Sequence, residues 1–194
     1  TSAQESQKFS ENLLDATNAY GLLVDDEKEL AGIPADDIAA FKETAQAANQ
    51  EGYRITLQIP HYLAVLQYAH NRKLRETLYH AYVIRASELD FDGKFNNNDV
   101  MRRIVDLRAQ EARLLGYRNY GEVSLATKMA KTPEEVVAFL RDLAQKSLPQ
   151  AKADMAEVKA FAKDNLGIVD PQSWDLPYAS EKLREARYAY SDQE

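Results

Sequence analysis

The run that opens Thr132-Pro133-Glu134-Glu135-Val136-Val137 and closes Asn165-Leu166-Gly167 decides the fold class. Thr132 can cap a helix, Pro133 suits the first helical position, and Glu135 completes a capping box. Acid in the first turn also suits the helix dipole. Val136, Leu140, Leu143, Ala151, Met155 and Val158 recur at helical spacing towards Leu166, and Gly167 can stop the helix. At 1.5 Å per residue such an element spans on the order of 50 Å. Pro149 lies inside it and is expected to kink it.

The rest of the chain follows the same pattern. Only 7 glycines and 6 prolines punctuate 194 residues. That is about half the usual share, so regular elements should be long. The expected fold class is all-α: a few long helices and one short extended segment near residues 53–59.

A first helix is expected from Ala3 to Val24, with Phe9, Leu13, Ala16 and Tyr20 on one stripe. A second starts near Asp36 and buries Ile38, Phe41, Ala45 and Ala48, with Gly52 at its C-terminus. In Tyr53-Arg54-Ile55-Thr56-Leu57-Gln58-Ile59 the apolar residues alternate, which reads as a strand. Its partner could be a distant segment or one outside the chain. A helix from Pro60 should carry Leu63, Leu66 and His70 on one face. After a junction near Asn71, the next should turn Leu74, Leu78, Ala81 and Tyr82 inward. Caps between Asn96 and Asp99 start another, striped by Val100, Ile104, Leu107 and Leu114 and ended by Gly116. A last helix follows from about Tyr178. No fixed-period repeat is present.

Composition excludes several function classes. With no cysteine, neither a disulfide nor a thiolate metal site can form, which fits a reducing, cytoplasmic setting. The net charge of −7 argues against a nucleic-acid surface. No apolar run is long enough to cross a membrane. The three histidines, His61, His70 and His80, lack the i, i+4 spacing and adjacent glutamate of a helical zinc site, and read as packing residues. No nucleophile elbow and no glycine-rich phosphate loop is present. Arg72-Lys73-Arg75 and Arg102-Arg103 read as solvated faces beside Glu76 and Asp99. Eleven tyrosines stand out. Tyr79 and Tyr82 share a helical side, and Tyr178, Tyr188 and Tyr190 lie near the end. Such residues can line a peptide channel, but more often they fill core edges.

Whole phrases carry more than single residues. They are Glu11-Asn12-Leu13-Leu14-Asp15-Ala16-Thr17-Asn18, Leu30-Ala31-Gly32-Ile33-Pro34, and Gly52 to Pro60 with Tyr62-Leu63-Ala64-Val65-Leu66. Leu114-Leu115-Gly116-Tyr117-Arg118-Asn119-Tyr120 and Ser124-Leu125-Ala126-Thr127-Lys128-Met129-Ala130 follow. Trp174-Asp175, Tyr178 and Ser180-Glu181-Lys182 close the set. In this order they resemble the N-terminal helical part of the thimet oligopeptidase family of zinc metallopeptidases. Family members often carry two adjacent tyrosines after the Trp-Asp pair, where this chain has Pro177-Tyr178-Ala179. The family's H-E-x-x-H helix, its third glutamate ligand and its transition-state tyrosines and histidines have no counterpart here. No catalytic, cofactor-binding or metal residue is therefore assigned.

The resemblance implies a cytoplasmic parent enzyme that cuts short peptides with a bound Zn²⁺ in a channel between two helical halves. Residues 1–194 would be a single helical fragment forming part of the channel wall. It would be inactive alone and bind no zinc, nucleic acid or membrane. Apolar surface left uncovered would favour self-association. Ala186, Tyr188 and Ala189 near the end fit an excised piece. The alternative is a free-standing helical module that binds a partner protein.

Overall fold

The structure, a computed structural model, describes residues 1–188. It is mainly α. The elements are α1 (Ser2–Ala19), β1 (Leu22–Val24), α2 (Ala35–Ala47), β2 (Tyr53–Ile55), α3 (Ile59–Tyr68) and α4 (Arg72–Val83). They continue as α5 (Asn98–Leu114), α6 (Tyr120–Leu125), α7 (Pro133–Leu166) and α8 (Leu176–Tyr188). Tyr190 and Ala189 lie outside the described residues.

The strand finds its partner within the chain. β1 pairs antiparallel with β2, setting Leu22 opposite Ile55, Leu23 opposite Arg54 and Val24 opposite Tyr53. The first helix accordingly stops at Ala19 instead of running to Val24. The extended stretch is also shorter than its alternation suggests: Ile59 already opens α3 and is half exposed. Asn49, in the left-handed region at φ 54°, follows the end of α2. Gly52 serves β2 instead. Its φ is 88°, and a Cβ there would lie 2.7 Å from the Val24 carbonyl oxygen.

The main core fills the space between the two strands, α2, α3 and α4. Phe41, Leu30, Ile55, Leu57, Val65, Leu66 and Leu78 are enclosed there. The expected face of α3 is rotated: Ala64, Val65 and Tyr68 go inward, whereas Leu63 and His70 are exposed. α8 closes this core by packing on α3. α1 lies against α5, burying Ala16 and Val100. Asn97 ties this pair together. Its amide donates to the Phe9 carbonyl at 3.0 Å, and its own carbonyl accepts from the Asn12 amide at 2.9 Å. Leu114, placed on the buried stripe of α5 by its spacing, is almost fully exposed.

α7 begins as its sequence predicts. The Thr132 hydroxyl accepts the Glu135 N–H at 3.1 Å, and the Glu135 carboxylate takes the Lys131 N–H at 2.7 Å. The helix runs unbroken through Pro149 to Gly167, which ends it at φ 69°. Pro149 brings no N–H to the Gln145 carbonyl, but that stretch is exposed and solvent can take the acceptor. Its burial differs sharply from expectation. Leu140, Leu143 and Met155 of the apolar series are 54%, 50% and 40% exposed, and Ala162 is the only fully buried residue of α7. Their spacing is helical, but among the described residues no element lies over them.

Candidate functional site

The best-defined polar cluster joins α4 to the start of α8. Asp175 is wholly buried just before α8. It accepts from Arg72 Nη2 at 2.7 Å, from Arg72 Nε at 3.0 and 3.1 Å, and from Arg75 Nη2 at 2.8 Å. The Gln172 N–H adds a further bond at 3.0 Å. Burial pushes the Asp175 carboxyl up, but these donors outweigh it and hold the group below its ordinary value of 3.8. Arg75 is 1% exposed. It also donates to the Ala69 carbonyl at the end of α3, and its guanidinium lies 4.2 Å from the centre of the Tyr178 ring. One side chain thus fastens α3, α4 and α8 together. Arg75 is therefore not part of a solvated face. Arg72, half exposed, and Lys73, which pairs with Glu76 at 3.0 Å, remain at the surface.

Beside this cluster is an open groove of about 750 Å³, lined by Arg72, Lys73, Glu76, Asp170, Gln172 and Trp174. Trp174 packs against His80 at 5.2 Å and Tyr79 at 5.9 Å. The groove carries both charge signs and offers hydrogen-bonding groups. It has no nucleophile paired with a base.

The three histidines stay apart, each beside an aromatic ring. His61 sits edge-on to Phe41 at 4.7 Å, and its Nδ1 accepts the Thr56 N–H at 3.2 Å. The neutral ring therefore carries its proton on Nε2. Burial lowers its pKa below the ordinary 6.5, and the Asp37 charge pulls the other way. His70 lies 6.3 Å from Tyr178. Among the described residues, no group of three or more His, Asp or Glu side chains could hold a metal ion. The described side chains do not fit a zinc site. None of the described helices is long and apolar enough to cross a membrane.

The tyrosines divide by environment. Tyr62 stacks on Tyr82 at 4.0 Å, with Arg85 lying 3.4 Å over the outer ring and bonded to Thr17 of α1. Tyr188 is 66% exposed. The position after Tyr178 is Ala179, fully enclosed where α8 meets α3.

The phrases that carry the family resemblance map onto joints of this scaffold. In the first loop, Gly32 has φ 92°, and a Cβ there would come within 2.4 Å of the Tyr68 carbonyl oxygen. The neighbouring Ala31 carbonyl accepts the His70 N–H at 2.8 Å. Trp174-Asp175 is the buried charge cluster itself. The sequence model of Peptidase family M3 matches residues 65–194. The chain belongs to this family. It is 46% identical over 188 residues to oligopeptidase A of Salmonella typhimurium (strain LT2), covering 96% of this chain and 28% of that protein. The probable cytosolic oligopeptidase A of Arabidopsis thaliana is 43% identical, with 97% and 28% covered. Dipeptidyl carboxypeptidase of Escherichia coli (strain K12) is more distant, at 30% identity with 94% and 27% covered. The chain thus spans little more than a quarter of the length of these curated relatives.

Proposed function

We propose that these residues are the N-terminal helical wall of a cytoplasmic, zinc-dependent oligopeptidase that hydrolyses short peptides. The observation that carries this is the 46% identity to an oligopeptidase A over 96% of the chain, which covers only 28% of that protein. The zinc and the reacting groups belong to the remainder of the parent. This segment's part is mechanical: it walls the channel, keeps folded proteins out and helps place the peptide. Cytosolic placement follows the probable cytosolic oligopeptidase A of Arabidopsis thaliana, although an organellar oligopeptidase A of the same plant matches at 42% identity.

The reading is tested by assaying the 194-residue chain alone and joined to the rest of its natural protein. Alone, it should neither cleave a short peptide nor hold zinc. Joined, it should cleave short peptides in a chelator-sensitive way and spare folded proteins. One tightly held zinc per isolated chain would overturn the division of labour. The exposed apolar series of α7 also suits a free-standing interaction module. A natural gene that stops at this point would favour that alternative.

A further inference from the structure

One face of α7 is a continuous apolar stripe: Val137, Leu140, Ala144, Leu148, Ala151, Met155, Val158 and Ala162, spaced three or four residues apart. α8 covers its end. It returns antiparallel along the last turns of α7, with Ala162 buried beneath it and Arg187, near its far end, paired with Glu157. Beyond that point the stripe continues uncovered from Met155 back to Val137, a distance of about 27 Å. Val137, Leu140, Leu148 and Met155 are between 40% and 54% exposed. A shallow hollow of about 370 Å³ opens over Ala151, between Leu148 and Met155 and edged by Lys152 and Lys159.

The edges of the stripe carry different charge. Arg141, Lys152, Lys159 and Lys163 are 11, 7 and 4 residues apart in turn, close to three turns, two turns and one. They form one exposed basic edge with no ion pair among the described residues. On the side of α7 away from the stripe, Asp142 pairs with Lys146 and Glu157 with Arg187. The opposite edge carries Asp154, beside Arg184 and Arg187 of α8, so the unpaired cations of α7 all lie along one edge.

We propose that the uncovered stripe seats a second amphipathic helix, in line with α8 and antiparallel to α7, that carries acidic residues along the edge facing Lys152 and Lys159. The occupant comes from the part of the parent peptidase outside these residues, so the inference rests on the reading above. Three observations select it. The stripe is continuous with the α7–α8 interface. The basic edge calls for an acidic neighbour. The relatives are more than three times as long as this chain, which leaves ample sequence to supply a helix. A second copy fits less well. In a two-fold antiparallel pair each edge faces its own counterpart, and this basic edge would meet itself.

The chain has no cysteine, so Ala151→Cys provides a single thiol in the hollow. Its maleimide labelling rate is measured alone and with the remainder of the natural peptidase added as a separate chain. The proposal expects a 1:1 complex with labelling slowed at least tenfold. Lys152→Glu with Lys159→Glu should weaken that complex at least tenfold while far-UV circular dichroism stays unchanged. Full-rate labelling within a formed complex, an unweakened charge variant, or no complex at all would overturn it. So would concentration-dependent protection without the partner, accompanied by a dimer in sedimentation, because a second copy would then hold the stripe. A protected complex that cuts no peptide would remove the proposed activity and leave the docking intact.

Discussion

Two helices of this chain show opposite treatments of an apolar face. α4 turns Leu74 and Leu78 into a closed core, where both are 5% exposed or less. α7 is nearly three times as long, yet its Leu140, Leu143 and Leu148 are all about half exposed. Amphipathic spacing is present in both, so spacing alone does not show whether a face is covered. The first region closes on itself within these residues: two strands, four helices and the buried Asp175 with its arginines. The second is a rod fixed at its C-terminal end by α8.

The contrast predicts an ordered series of effects. The largest should come from Asp175→Ala. It leaves Arg75 buried without its anion, and breaking such a pair costs about 3–5 kcal/mol. Urea unfolding should record that loss, and an unchanged midpoint would mean the cluster does not hold α8 to the core. Next is Leu78→Ala, a cavity in the closed region, at about 2–5 kcal/mol by the same measurement.

A finer effect is pH-dependent. The His61 pKa is lowered in the fold, so its stabilisation is complete above 6.5 and is lost as pH falls through the folded value. Asp175 adds a second loss of the same sign, below its ordinary 3.8. Unfolding midpoints measured from pH 8 downwards should fall in the His61 window, and His61→Gln should flatten that step. The smallest effect should be Leu140→Asp, about 0.5 kcal/mol, because the side chain is already half exposed and no element lies over it. A large loss there would show that α7 is covered in solution and would end the contrast.

Much of this was legible from local chemistry. The start of α7 rests on neighbours in sequence: a threonine cap, a first-turn proline and a glutamate three residues on. The end of α5 is similar, where Gly116 adopts φ 80° and the Tyr117 N–H reaches back to the Ala112 carbonyl. What escaped depends on distant residues. Leu22-Leu23-Val24 is too short to announce a strand, and its partner lies beyond a whole helix. Arg75 sits in a basic run with every local mark of a wet surface, and only a carboxylate on another loop makes its burial tolerable. The spacing of the α7 stripe was evident, but coverage is a property of whatever lies against it. The absence of an assigned site residue has a different cause. The joints at Gly32 and Trp174-Asp175 are architecture, and nothing in them performs chemistry.

The bond between Arg75 and Asp175 spans 100 positions of sequence. That separation also sets a timetable. A ribosome adding roughly 5–20 residues per second takes on the order of 5–20 seconds to pass from one to the other. Throughout that interval α3 and α4 wait with one side open, because the helix that closes them has not been made. Arg75 must remain hydrated until its anion arrives. The core of this chain is therefore assembled early and sealed only when α8 has been made.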